Sequence, residues 1–369
     1  MPRAMQPTEG TAKEAGLLAG RPLFTVGRRS YERRDVIAAA ILRGEWQALV
    51  EQARRGLACT RRLSDGAEEP DSFDLERAAQ EFRHSRDLVS AEETEAWLAR
   101  CGLSYEDWTG YLERSLLRRA WAGDIEEVVA RHEVGDEELG RVLHAEAVCS
   151  GELHRLAERL ADRAAVCERA PSMGRADVPV LDDLLVARTA RECAAALGSS
   201  GSSSASAQHW TAQAVELARM EATFQGCVQS AITPEAVQAQ IGAHRFDWIR
   251  LRWRCVVLRD EPAAREAALC LHHDGETLED IAVRAGVAVR AEEPLLERVD
   301  PAIRAAAVSA RPDDLLGPWP AADGFRLAVL LAKAQPAESD DEVRRRAEEE
   351  IARGLVAEAV KSVVWHERV

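Results

Sequence analysis

Cys255 is the residue whose side chain could most readily take part in a reaction, and it lies in the alternating apolar and basic segment RFDWIRLRWRCVVL at 245–258. A thiol becomes a nucleophile or a redox group when a nearby base or cation lowers its pKa. The alternation predicts a strand with Cys255 facing inward and with Arg252 and Arg254 on the opposite face. Because no base lies beside Cys255 in the sequence, the pattern favours a structural thiol over a nucleophile.

A second candidate is Arg326, in the apolar segment DGFRLAVLLAKAQP at 323–336, which predicts a closing strand. A guanidinium on a strand can bind a carboxylate of a ligand through paired hydrogen bonds. The competing interpretation is a surface arginine that pairs with Asp323 or with a glutamate. The pattern favours this second interpretation.

Histidines and cysteines lack the spacing of a metal site. The eight cysteines are widely spaced and form no CxxC pair, so we interpret them as buried thiols. Adjacent His272 and His273 cannot share one helix face and are expected at a helix C-terminus. His144 and Glu146 project in different directions, and their segment has no HExxH pattern. Since no glycine-rich phosphate loop occurs either, we predict no metal and no cofactor.

Composition limits the classes of partner. The chain has 369 residues, 46% of them hydrophobic and 30% charged, which predicts a globular protein of two or three domains. Its net charge of −15 opposes binding to nucleic acid through an overall field. No apolar run has the length of a membrane span, and the N-terminal residues lack the apolar core of a signal peptide. We therefore expect a cytoplasmic protein with neither nucleic acid nor membrane as a partner.

The elements that must position Cys255 and Arg326 form a small α+β domain at 245–336. Its predicted order is a strand, two helices that end at Gly275 and Gly286, a short strand, a helix followed by a turn, and a closing strand.

The rest of the chain predicts helices, so the expected fold is mainly α. Ser90 with Glu93 forms a capping-box pattern, and Ser104 caps the next helix; the Trp and Tyr residues that follow are interpreted as core. The predicted segments are a flexible tail at 1–22, a helical domain at 23–170, a loop and linker region at 171–207 that contains one short helix, a helical connector at 208–244, the α+β domain at 245–336 and a C-terminal helix at 337–369.

Two segments of the α+β domain follow each other in an order that is typical of a known family. They are CVVLRDEPAAREAALCLHHDGETLEDIAVRAG at 255–286 and VDPAIRAAAVSARPDDLLGPWPAADGFRLAVL at 299–330. Together they resemble the two halves of a parvulin-type, PpiC-like peptidyl-prolyl isomerase domain. The family's turn positions correspond to Pro301, Pro312, Gly317, Pro318 and Gly324.

The layout of the whole chain extends this resemblance. The segment EFRHSRDLVSAEETEAWLARCGLSYEDWTGYLERSLLRRAW at 81–121 looks like the helical arm of SurA and trigger-factor chaperones. The order of a helical region, a parvulin-like domain and a C-terminal helix resembles the layout of the PpiC-related peptide maturation system proteins. This resemblance implies a chaperone that holds the precursor or leader peptide of a ribosomally synthesized, post-translationally modified peptide (RiPP). A peptide-modifying enzyme is the further candidate partner.

The chain departs from the family at the positions that surround the prolyl ring. The two histidines, the Met or Leu, the Phe, the Tyr and the tight-turn Gly are replaced respectively by Cys255, Arg326, Val299, Ile303, Phe325 and Asp313. The resemblance therefore implies weak or lost isomerase activity and no confident catalytic residue. By position, the peptide-binding candidates are Cys255, Val299, Ile303, Trp319, Phe325 and Arg326.

Three hypotheses remain. The leading one is a non-enzymatic pseudo-isomerase that holds a peptide, with Arg326 as a candidate contact for an acidic leader segment. The second is an active prolyl isomerase with a rebuilt pocket that uses Cys255 as a hydrogen-bond partner. The third is a structural subunit whose Trp-rich helical faces bind a modifying enzyme.

Overall fold

A computed structural model describes residues 22–70, 73–170, 182–197 and 204–366, with the side chains of 204–207 excepted. The chain divides into two compact units. The helical unit comprises the described residues up to Cys227 and those from Val356 onward, and the sheet unit comprises Val228–Leu355. The fold is mainly α with a small α+β part, as the sequence predicts. Apart from Pro22, the predicted tail at 1–22 lies outside the described residues.

The helical unit begins with a hairpin of β1 (Pro22–Val26) and β2 (Arg29–Glu32), which the sequence shows only as an apolar run and a turn. A third strand, β7 (Val364–Trp365), pairs antiparallel with β1. The segment predicted as one C-terminal helix at 337–369 therefore has a different ending. Its last described residues are extended because the Trp365 ring packs 5.1 Å from the Phe24 ring across the strand pair.

Helices make up the rest of the helical unit. Along the chain these are α1 (Arg33–Leu42), α2 (Trp46–Ser64), α3 (Leu75–His84), α4 (Ala91–Cys101), α5 (Tyr105–Ala120), α6 (Ile125–Arg131), α7 (Asp136–Cys149), α8 (Glu152–Arg169), α9 (Asp183–Leu197) and α10 (Ser204–Ala231), the last of which continues beyond Cys227.

Local side-chain chemistry explains several of these helix ends. Ser90 and Glu93 form the predicted capping box at the start of α4, and Ser104 caps α5 by accepting a hydrogen bond from Asp107 N. Gly102 ends α4 with φ 69°, a left-handed conformation that favours glycine. Such caps depend on neighbours within four residues, which is why the sequence shows them.

Aromatic residues of α3, α4 and α5 pack together in the core. The Phe82 ring lies 5.4 Å from Trp97 and 5.7 Å from Trp108. Both tryptophans are buried, which confirms their assignment to the core. Their indole rings therefore contribute to the packing between these helices.

The region predicted as loop and linker at 171–207 is partly helical. Residues 171–181 and 198–203 lie outside the described residues, whereas α9 occupies Asp183–Leu197. The serine-rich run at 198–206 ends inside a helix, because α10 already begins at Ser204. Composition alone placed the helix start too late, since serine tolerates the first turn of a helix.

The sheet unit contains α11 (Pro234–Ala243), β3 (Arg250–Leu258), α12 (Glu261–His273), α13 (Leu278–Ala285), β4 (Arg290–Glu292), α14 (Pro301–Ser309), β5 (Leu315–Ala321) and β6 (Gly324–Ala334). The helix α15 (Asp341–Ala359) packs residues of its first half against Trp248 and Leu295. The sheet is antiparallel with the order β4-β3-β6-β5. The sequence predicts this order of elements except for β5, which it shows as a turn.

The missed strand has a physical explanation. β5 contains Gly317, Pro318 and Pro320, residues that normally argue against a strand. Since β5 lies at the edge of the sheet, its prolines need not donate hydrogen bonds on the outer side. The position in the sheet, which the sequence does not show, makes the strand possible.

Both faces of this sheet are covered. On one face Leu251, Trp253 and Cys255 of β3 pack with α14. On the other face Val256 and Leu258 pack with residues of α12 and α13. The predicted inward direction of Cys255 is confirmed, since its side chain is fully buried.

Candidate functional site

Four of the six predicted peptide-binding residues lie together in one buried cluster. Cys255, Val299, Ile303 and Trp319 share the core between β3, β5 and α14, and each is at most 7% exposed. The Trp319 ring lies 5.9 Å from that of Trp253 in the same cluster. These side chains pack against one another, so they do not form an open pocket that could bind a prolyl ring.

Phe325 lies apart from this cluster. It pairs with Leu258 in the sheet register and packs on the opposite face, among residues of α12 and α13. Because side chains alternate along a strand, Phe325 and its neighbour Arg326 face opposite sides of the sheet. The structure therefore brings five of the six predicted residues to one side and leaves Phe325 on the other.

Arg326 is engaged by a glutamate that sequence reasoning did not single out. Its Nη1 donates to Oε2 of Glu292 at 2.9 Å. The same carboxylate oxygen accepts from Trp253 Nε1 at 3.2 Å, and the Arg326 guanidinium lies 6.0 Å from the Trp319 ring centroid. The expected pairing of Arg326 with a glutamate is confirmed, and the partner is Glu292 rather than the neighbouring Asp323.

Glu292 was missed because it belongs to β4, a strand of three residues. The register pairs Glu292 with Trp253, and this pairing places the carboxylate beside β3. The only sequence signal is the predicted short strand between the second helix and Pro301, and it does not specify a register.

The Cys255 thiol is kept protonated. Burial is the main cause that raises its pKa, to about 11, and the negative charge of Glu292 adds to this effect against the opposing charge of Arg326. A thiol with a raised pKa carries little thiolate at neutral pH and is a poor nucleophile. The geometry agrees with the structural thiol that the sequence favours.

An open groove lies elsewhere in the sheet unit. Its volume is about 860 Å³. Its apolar lining consists of Leu271, Leu278, Ala306, Ala310, Leu315, Leu316, Val329 and Leu331. Its charged and polar lining comprises Arg254, His272, Glu276, Thr277, Glu279, Ser309, Asp313 and Asp314. Leu331, in the second half of β6, is 36% exposed and contributes apolar surface to the groove. The groove thus combines apolar contact area with an acidic lining.

A short turn, Arg311–Asp314, borders this groove. Asp313 has φ 72°, in the left-handed region, at the position where the resembled family has its tight-turn glycine. The turn is attached to β6 by two backbone hydrogen bonds, from Asp313 N to Leu330 O at 2.7 Å and from Leu330 N to Asp314 O at 3.0 Å. These bonds hold the Asp313 backbone in an otherwise unfavourable conformation.

Two of the four acidic residues in the groove form ion pairs. Glu279 pairs with Arg254, and Glu276 pairs with Arg284. Asp314 accepts a hydrogen bond from Arg311 N at 2.6 Å. Within the described part of the chain, the Asp313 carboxylate has neither a hydrogen bond nor an ion pair.

The helical unit contains a buried charge cluster that the sequence did not reveal. Glu146 is 0% exposed and accepts from Arg114 Nε at 2.7 Å and from Arg118 Nη1 at 3.0 Å. Nearby in sequence, His144 Nε2 lies 2.9 Å from Cys101 O and 3.2 Å from Arg33 Nη1. Burial, assisted by the charge of Arg33, lowers the pKa of His144 to about 4.

Metal ligation and membrane insertion find no support in the part of the chain that the structure describes. No group of three or more His, Cys, Asp or Glu residues there could hold a metal ion, and the eight cysteines form no disulfide. Within the same residues, every helix falls short of the length and apolarity that crossing a bilayer requires.

Comparison with known proteins gives limited information. No protein-family model matches the chain, and no curated protein matches it. Among solved structures, the chain is similar to PrsA from Bacillus subtilis, with 15% sequence identity and a TM-score of 0.22. The similarity covers 60% of this chain and 85% of that chain. At this TM-score the similarity carries no argument about function.

Proposed function

We propose that this protein holds a peptide without isomerising prolyl bonds. The observation that carries the proposal is the closed arrangement at the parvulin-like positions, where Arg326 and Trp253 donate to Glu292 beside a buried Cys255. An open groove in the same unit offers a different surface for a peptide.

Loss of isomerase activity follows from this arrangement. An isomerase must favour the twisted amide over the planar one against a barrier of about 20 kcal/mol. That preference requires an open pocket shaped around the prolyl ring. Here Val299 and Ile303 are buried, and the cation at the second histidine position is already paired with a carboxylate.

Peptide holding is supported by the size and lining of the groove. Its volume of about 860 Å³ lies in the range of sites that bind small molecules and short peptide segments. The neighbouring edge strand β5 is a poor template for strand addition, because Pro318 and Pro320 have no N–H to donate. We therefore propose recognition through side chains in the groove rather than through the sheet edge.

The proposed occupant is a precursor peptide, as the sequence resemblance to peptide maturation proteins implies. In this role the protein would keep an unmodified RiPP precursor or its leader available to a modifying enzyme. Both the RiPP precursor and the modifying enzyme rest on that resemblance alone.

The test is an NMR titration of the full chain with isotope-labelled Xaa-Pro peptides. We expect chemical-shift changes in the peptide without cis/trans exchange cross-peaks. Exchange cross-peaks at catalytic protein concentrations would overturn the proposal.

If exchange cross-peaks were seen, Cys255→Ala would decide whether the pocket uses this thiol. Loss of exchange in that variant would support the rebuilt isomerase. On our proposal, the variant and the wild type show the same absence of exchange.

A further inference from the structure

We propose that the groove of the sheet unit takes a basic peptide segment, with a Lys or Arg side chain bound at Asp313 and apolar neighbours on the leucine-rich lining. This inference rests on the proposed peptide-holding function and specifies the chemistry of the peptide.

The charge balance of the groove supports a basic occupant. Glu276 and Glu279 are each neutralised by an arginine, and Arg254 is the single Arg or Lys among the groove-lining residues. Asp313 is exposed, and no cation of the described chain pairs with its carboxylate. A peptide cation would therefore find an acceptor at Asp313, whereas the one arginine among the lining residues, Arg254, is already paired with Glu279.

Two helix ends add to the negative potential. α12 ends at His273 and contributes Leu271 and His272 to the lining, and α14 ends at Ser309, which also lines the groove. The C-terminal end of a helix carries a partial negative charge that stabilises cations. The N-terminus of α13 also lies here, but Asp280 in its first turn completes a capping box with Thr277 and offsets its positive end.

The backbone of Asp313 provides an independent argument. A non-glycine residue in the left-handed region is uncommon, and glycine would adopt φ 72° without steric strain. The chain nevertheless carries a carboxylate at this turn and anchors it to β6 through Leu330. Strain of this kind is common at ligand-binding positions, where the surrounding structure holds the side chain in place.

This assignment reverses the charge expected from the sequence. Arg326 suggests an acidic leader segment as long as its guanidinium is free. In the structure Arg326 is paired with Glu292, and the carboxylate without a partner lies at the open groove. The segment that fits is therefore basic.

The test uses three fluorescein-labelled peptides with the same apolar residues and with Arg, Gln or Glu at the alternate positions. Binding to the full chain is measured by fluorescence anisotropy at 50 mM and 500 mM NaCl. We expect the Arg peptide to bind about five-fold or more tightly than the Gln peptide at low salt, and this advantage to shrink at high salt. The Glu peptide should bind most weakly.

Matched variants locate the effect. Asp313→Asn keeps a side chain that tolerates the left-handed conformation and removes the charge, so it should weaken the Arg peptide about three- to five-fold and leave the Gln peptide unchanged. Asp323→Asn removes the same charge from the exposed β5–β6 turn outside the groove and should change neither.

The outcomes separate the two proposals. Equal binding of the Arg and Gln peptides, or an unchanged Asp313→Asn variant, would overturn the basic preference while peptide holding stands. Tightest binding of the Glu peptide would also overturn it. Binding of none of the three peptides would overturn the peptide-holding function itself.

Discussion

The helical unit and the sheet unit differ in the burial and pairing of particular carboxylates. In the helical unit, Glu146 is fully buried between Arg114 and Arg118 and joins α5 to α7. In the sheet unit, Glu292 is partly exposed beside Arg326, and Asp313 faces an open groove without a partner. The comparison shows that the Glu146 carboxylate holds two helices together in the helical unit, whereas the Asp313 carboxylate of the sheet unit remains accessible to a ligand. Four predictions test this comparison.

The largest effect is expected at Glu146. Glu146→Gln removes the charge that compensates two buried guanidinium groups, and breaking such a cluster costs about 3–5 kcal/mol. Urea denaturation followed by circular dichroism should show this loss in the free energy of unfolding.

Glu126→Gln provides the matched control for this measurement. Glu126 pairs with Arg55 at the surface, with 78% of its side chain exposed, so the change should cost less than about 1 kcal/mol. Equal losses in the two variants would show that burial of Glu146 has no special role.

The next effect is expected at Glu292. Glu292→Gln weakens two hydrogen bonds that its carboxylate accepts, one of them from the Arg326 guanidinium, and should cost about 2 kcal/mol of unfolding free energy. It should also lower the pKa of Cys255 from about 11 towards its usual value, because the negative charge of Glu292 is one of the causes that raise it.

The shift at Cys255 can be measured as the pH dependence of its Cβ chemical shift by NMR in protein with isotope-labelled cysteine, with Cys255→Ala used to assign the signal. Glu293→Gln, at the exposed neighbouring position, is the control and should leave the titration curve unchanged. A titration curve that is the same in Glu292→Gln and in the wild type would contradict the role of Glu292.

A pH-dependent effect is expected at His144, absent at neutral pH and growing by about 1.4 kcal/mol for each pH unit below 6.5. Its pKa is lowered from 6.5 to about 4 in the folded chain, so the unfolded chain binds a proton first as the pH falls. The stability that His144 contributes is therefore complete above about pH 6.5 and is lost between about pH 6.5 and pH 4.

The checking measurement compares unfolding free energies of wild type and His144→Gln across this pH range. The difference between them should shrink towards low pH. The exposed His273→Gln serves as the control, and a constant difference for His144→Gln would refute the assignment.

The smallest effect on stability is expected at Asp313. Asp313→Gly relieves the left-handed backbone strain, and because glycine also makes the unfolded chain more flexible, it should stabilise the sheet unit by less than about 1 kcal/mol, while it removes the proposed acceptor for a peptide cation. Thermal denaturation and peptide anisotropy on the same variant measure both changes. A destabilised variant would show that the Asp313 side chain serves packing after all.

Much of the fold could be predicted because its signals are local. Ser90 and Ser104 cap helices through residues three positions away, and the alternation at 250–258 shows β3 directly. The edge strand β5 could not be predicted, because its prolines are acceptable only at an edge. The predicted C-terminal helix ended early for a similar reason, since β7 exists only through pairing with β1.

For the candidate site too, some features could be predicted from the sequence and others only from the tertiary structure. The sequence by itself indicated that Cys255 faces inward and that Arg326 has an acidic partner, and its resemblance to parvulins implied that the histidine pair of active members is missing. Only the tertiary structure decided that this partner is Glu292, that Phe325 lies on the other face, and that Asp313 borders an open groove. The physical reason is that side-chain direction follows from the period of a strand, whereas ion pairs and grooves depend on a register between segments distant in the chain.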